Sequence, residues 1–140
     1  MSKSDSQSSA KQGDTALAYA RSIVDTVREP VVVLDGHLRI QSANRAFYRT
    51  FRVSPPETEG HLVYDVGNGK WNIPGLRTLL EEILPHDNAF DDFEVEHDFP
   101  DIGRKVMLLN ARRLQQEGAE RILLAIEDVT ERRRLEAERR

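Results

Sequence analysis

Two strand-forming stretches near the C-terminus, 104–114 and 121–129, carry apolar residues on both faces, with only a turn's length of chain between them. In the first, Val106 and Leu108 alternate with Met107, Leu109 and Ala111. In the second, Ile122, Leu124 and Ile126 alternate with Leu123, Ala125 and Val129. Apolar residues on both faces predict a central strand covered on both sides, and Gly118 supplies the turn within 115–119. The rest of the chain must therefore complete and cover a sheet.

The remaining segments fit that need. Met1 to Gly13 is polar, cannot repay its ordering entropy, and is expected to be a disordered tail over 1–13. A helix capped by Asp14 is expected over 14–29, ending before Pro30. One of its seams, Leu17, Ala20, Val24 and Val27, is expected to serve a dimer with a second copy of the chain. The same stripe could instead be buried within one subunit. Val31 to Leu34 and Leu38 to Gln41 predict a hairpin around Asp35-Gly36-His37, the Asp-Gly pair tolerating positive φ. Asn44 can cap a short helix carrying Ala46, Phe47 and Phe51. Ser54-Pro55-Pro56-Glu57 predicts another, with a Ser cap, Pro at the first helical position and Gly60 at the end. Ile73, Leu76, Leu79, Leu80, Ile83 and Leu84 predict an amphipathic helix stopped by Pro85. Phe93, Val95 and Phe99 alternate with acidic residues, a strand wet on one face. Strands grouped on either side of a block of helices indicate an α+β fold with an antiparallel sheet.

Composition removes several function classes. The chain of 140 residues has no cysteine, which excludes disulfides, thiolate metal sites and cysteine nucleophiles. A net charge of −4 argues against general nucleic-acid binding. The clusters Arg132-Arg133-Arg134 and Arg139-Arg140 are interleaved with Glu131, Glu136 and Glu138, as on a solvated helix face. No apolar run is long enough to span a membrane, and no signal peptide opens the chain, so a cytoplasmic location is the expectation. No phosphate-cradling glycine loop followed by Lys and Ser/Thr is present, and His37, His61, His86 and His97 share no metal-ligand spacing. Asp92, Glu94, Glu96 and Asp98 (with Asp91 beside them) lie along one exposed strand face rather than forming a catalytic carboxylate pair. The chain is expected not to be an enzyme.

In order and spacing the chain resembles a PAS domain. The resemblance rests on the opening hairpin, on Asn44-Arg45-Ala46-Phe47 against the family's N-x-A-F helix start, and on Asp128-Val129-Thr130 against its D-[IV]-T signature. Gly69 to Pro74, Asp92 to Pro100 and Leu108 to Arg113 are similar to a bacterial subgroup found in sensor histidine kinases and in chemotaxis methylesterase/methyltransferase fusions. The resemblance covers Asp14 to Arg140 and implies a PAS core over 30–129. It implies a five-stranded sheet in order 2-1-5-4-3, helices on one face, a homodimer formed through the N-terminal helix, and a sensory role.

The family includes haem, flavin and metabolite binders. Photoactive flavin members need a cysteine, so that adduct is excluded; haem members use a histidine on the long helix before the third strand, and 73–84 has none. No cofactor is expected, although an unidentified small-molecule ligand fits the family. By alternation and family register its pocket would be lined by Val32, Leu34, Met107, Leu109, Ile122, Leu124 and Ile126, with Leu79 or Ile83 opposite; the same set also describes a filled core. Trp71 could lid such a cavity or anchor its glycine-rich loop, and Asn110 and Arg112 could meet a partner or serve as ordinary hydrogen-bonding groups.

At the C-terminal end, Asp128-Val129-Thr130-Glu131 has capping-box spacing, and 130–140 is a strong helix former with Leu135 as its only large apolar residue. This helix is expected to continue as a coiled coil into an effector in a longer parent. Asp128 and Thr130 are the expected signal-output residues. The alternative is a ligand-free dimerisation or protein-interaction module with a filled core.

Overall fold

The computed structural model describes residues 28–116 and 118–139. The expected tail, the N-terminal helix and its seam Leu17, Ala20, Val24 and Val27 lie outside them. Strands β1 (Val31–Asp35) and β2 (Ile40–Ala43) are followed by helices α1 (Arg45–Phe51) and α2 (Pro55–Thr58). After a 3-10 turn at Val63–Asp65 comes α3, which runs over Pro74–Arg77 and continues as a π-helix over Thr78–Ile83. Strands β3 (Ala89–Phe99), β4 (Gly103–Gln116) and β5 (Ala119–Asp128) then lead into helix α4 (Thr130–Glu138). The five strands form one sheet in the order β2-β1-β5-β4-β3, antiparallel throughout. This is the expected α+β architecture. β4 and β5 lie side by side, although the outward side chains Val106, Leu108, Leu123 and Ala125 are half-buried rather than sealed.

Local chemistry differs from expectation at three places. In the β1–β2 turn the positive φ falls on Leu38 (64°), not on Gly36. The Asp35 carboxylate sets that turn, since Oδ1 accepts the N–H groups of His37 (2.8 Å) and Arg39 (3.0 Å). Ser54 occupies the cap position of α2, but its side chain makes no capping bond. Two prolines open that helix and bring no N–H, and the first available amide, Glu57, goes to the Ser54 carbonyl at 3.1 Å. The third difference is the π-helix. An α-helix would place Ile83 over Leu79, four residues back. The wider turn, with Leu84 N–H bonded to Leu79 O at 3.0 Å, moves Leu84 into that place. Leu84 is fully buried as a result, and Ile83 is left half-buried at the margin.

Asn44 binds the first helix to the sheet. Its Oδ1 accepts from Phe47 N–H (3.1 Å), the expected cap, and from Val31 N–H (2.9 Å), while Nδ2 donates to Glu29 O (2.8 Å). The free edge of β2 is occupied by 60–63, where Ile40 N–H reaches His61 O at 2.9 Å and Gly60 N–H reaches Ile40 O at 2.8 Å. β3 is the other edge, and Glu94, Glu96 and Asp98 keep its outer face charged and exposed, as expected.

Candidate functional site

The junction between β5 and α4 joins three elements through two short side chains. Opposite Asp128 in the sheet stands Met107 of β4, so Val106 and Lys105 lie next to the point where the chain leaves the sheet. Val129 N–H donates to Val106 O at 2.9 Å. Val106 N–H in turn donates to the Thr130 hydroxyl oxygen at 2.9 Å. That hydroxyl has one proton, and Asp128 Oδ1 receives it in preference to the carbonyl of Val106, which is 3.5 Å away. Asp128 Oδ1 also accepts Thr130 N–H (3.0 Å), and Oδ2 takes the Lys105 ammonium at 3.0 Å. Burial pushes the Asp128 carboxyl up; the Thr130 hydroxyl and amide and the Lys105 charge outweigh it and hold the group below the ordinary aspartate value.

The expected capping box does not form. α4 starts at Thr130 with Val129 at the cap position and no side-chain cap. The Asp128 carboxylate, which would have capped the helix in that box, instead accepts the amide and hydroxyl of Thr130, and the hydroxyl oxygen accepts from Val106 of β4. This ties the first residue of α4 to β4, which a capping box would not do.

Beyond Thr130, α4 buries no residue, and Leu135 is 43% exposed. The ties back to the sheet among the described residues are ionic. Arg133 Nη2 meets Glu94 Oε1 of β3 at 2.7 Å, and Arg132 Nη2 meets Glu127 Oε1 of β5 at 3.4 Å. Arg134 pairs within the helix, with Glu131 and with Glu138 (2.8 Å). The Arg cluster therefore serves the helix and its seat. Lys105, Val106 and Glu94 are members of this junction that sequence reading missed. Only the pairing register, which no local motif encodes, brings them to Asp128 and Arg133.

The nine pocket candidates come together on the inner face. Val32, Leu34, Leu79, Met107, Leu109, Ile122, Leu124 and Ile126 belong to one contiguous buried cluster, and Ile83 packs at its edge. Trp71 is 2% exposed and anchors its loop within an aromatic group, with ring centroids 4.7 Å from Phe51, 5.6 Å from Phe47 and 5.5 Å from Phe99. Its loop needs left-handed backbone at Gly67, Asn68 and Gly69 in succession. Asn110 acts within the sheet, where its Oδ1 accepts the N–H of Asp92 (2.9 Å), a residue at φ 55° in the β3 bulge. Arg112 is exposed. His97 stands edge-on to Phe99 at 4.8 Å. Among the described residues no cluster of His, Asp and Glu could hold a metal, and no helix is long and apolar enough to cross a membrane.

The sequence profile of the PAS fold matches residues 24–134. None of the curated proteins matches the chain. Among solved structures, the chain is similar to a PAS domain from a two-component sensor histidine kinase, at 11% identity and a TM-score of 0.66, covering 83% of this chain and 98% of that one. It is similar to the PAS domain of an HTR-like protein from Haloarcula marismortui, at 17% identity and a TM-score of 0.65, covering 87% and 98%. A light-oxygen-voltage protein from Rhodobacter sphaeroides aligns at 13% identity and a TM-score of 0.64, over 81% and 67%. At these identities the likeness is one of fold.

Proposed function

Because the chain belongs to the PAS fold family, we propose that it is a non-catalytic sensory module that relays a ligand or partner signal through α4 to an effector, a histidine kinase or chemotaxis-type output. The observation that carries this reading is the hydrogen-bonded seat of Thr130 on Val106 of β4. Any displacement of β4 against β5 acts on the first turn of α4, because Asp128 and Thr130 bind both. A stimulus shifts such an element only as far as it interacts differently with the two positions. Homodimerisation through Leu17, Ala20, Val24 and Val27 and a cytoplasmic setting belong to the same proposal.

The contiguous packing of the nine inner-face residues supports a second reading, a dimerisation or protein-interaction module with a filled core and no ligand in it. The two differ in what reaches the effector. Grafted in place of the sensor domain of a PAS-containing histidine kinase, the chain should confer a regulated output that Asp128→Ala and Thr130→Ala each abolish. Unchanged regulation in both variants, with the fold intact by circular dichroism, would sink the relay.

A further inference from the structure

At the β4–β5 hairpin end of the sheet, opposite the junction, a groove of about 320 Å³ opens between the β1–β2 turn and the end of α3. That volume is of small-molecule size. Half-buried Leu38 supplies the apolar surface, with Leu80, Leu84 and Ile122 buried behind it, and Arg113 and Glu120 supply charge. Ile122 is its only residue shared with the inner-face set.

The way Arg113 is used leaves a particular remainder. Its Nε (2.7 Å) and Nη2 (2.5 Å) both converge on the same oxygen, Glu120 Oε1. Its Nη1 donates to the carbonyls of Leu84 (3.2 Å) and Pro85 (3.3 Å), closing the end of α3. A guanidinium has five N–H groups, so one on Nη2 is spare. On the other side, Glu120 Oε2 has no hydrogen-bond partner among the described residues. It lies against the groove, since a Cβ placed on Gly36 would stand 3.6 Å from it. Both side chains remain partly open to solvent, at 22% and 36%.

A spare cationic donor and a spare anionic acceptor thus sit side by side above an apolar surface. A simple anion can use only the spare Arg113 N–H, and a simple cation only Glu120 Oε2. A zwitterion uses both at once, its carboxylate at the remaining Arg113 N–H and its ammonium at Glu120 Oε2. From this geometry we infer that the groove is a binding site for a free α-amino acid with a branched apolar side chain, the side chain lying on Leu38. Binding at this groove does not depend on relay through α4.

The test is a titration of the full chain followed by amide NMR, with L-leucine, its deaminated counterpart isocaproate and its decarboxylated counterpart isoamylamine. L-leucine should move the Gly36, Glu120 and Ile122 amides in a saturable way, and each counterpart should bind at least about tenfold more weakly, as loss of one charged hydrogen bond requires. Glu120→Gln leaves the carbonyl contacts of Arg113 in place and should weaken L-leucine by a similar factor with the spectrum otherwise preserved. The inference is overturned if L-leucine leaves those amides unmoved, if either counterpart matches it, or if Glu120→Gln binds it equally well.

Discussion

A methyl group on Gly75 has nowhere to go. Its Cβ would fall 2.6 Å from Val95 Cγ1, and 3.8 Å from the Phe93 ring, where the start of α3 presses on β3. Gly75→Ala should therefore cost about 1–3 kcal/mol through forced repacking, read as a lower midpoint in chemical denaturation. A variant as stable as the parent would show that α3 does not approach the strand so closely. Nothing in the sequence hints at this, because Gly75 follows Pro74 and reads as ordinary helix-start punctuation. Asn44 is the contrasting case. Its capping of Phe47 was legible from residue type and position, whereas its bonds to Val31 of β1 and to Glu29 needed the fold. Leu38 shows a third pattern. Asp35-Gly36 advertises a turn correctly, yet the carboxylate of Asp35 organises it so that the left-handed position moves two residues on.

Elements were legible where one face is apolar and the period is clean. β3, β4 and β5 follow from alternation alone, and so does the existence of α3. The π-helical half of α3 was not legible, because Leu79, Leu80, Ile83 and Leu84 fit an ordinary helix equally well. Burial of Leu84 against the sheet decides between the two, and that is a tertiary fact. The junction of β5 and α4 is similar. Its motif pointed to Asp128 and Thr130 but not to their bonds, because a capping box is local and Thr130 also accepts from Val106 of β4. A consequence in pH follows. The folded state holds the Asp128 carboxyl below its ordinary value. Its contribution to stability is therefore complete above the unfolded value of about 4 and is lost as pH falls through the folded one. Denaturation of the parent and of Asp128→Asn across acid pH should show a constant stability gap above about pH 5 that closes below about pH 4. A gap that persists unchanged to the acid limit would contradict the bonding described for Asp128.

At the scale of the whole molecule, the sheet has one end shaped as a groove and the other shaped as an exit. The expected order of strands, implied by the family resemblance rather than by the apolar pattern, and the placing of helices on one face both hold. The candidate pocket residues did come together in one buried cluster, yet alternation cannot distinguish a lined cavity from a packed core. Neither the groove pair Arg113 and Glu120 nor the latch Arg133 and Glu94 could be found from spacing, since each joins residues on different elements. Above all, Thr130, through β4, sets the direction in which α4 leaves the sheet. With no native cysteine, spin labels can be placed at Arg112→Cys on β4 and Glu136→Cys on α4 alone, with labelled chain diluted into unlabelled. Pulsed electron paramagnetic resonance should give one narrow distance distribution for this protein. Adding Thr130→Val, which keeps the shape and removes the hydroxyl, should broaden or displace it with the fold preserved. An identical distribution in the two would contradict that role for Thr130.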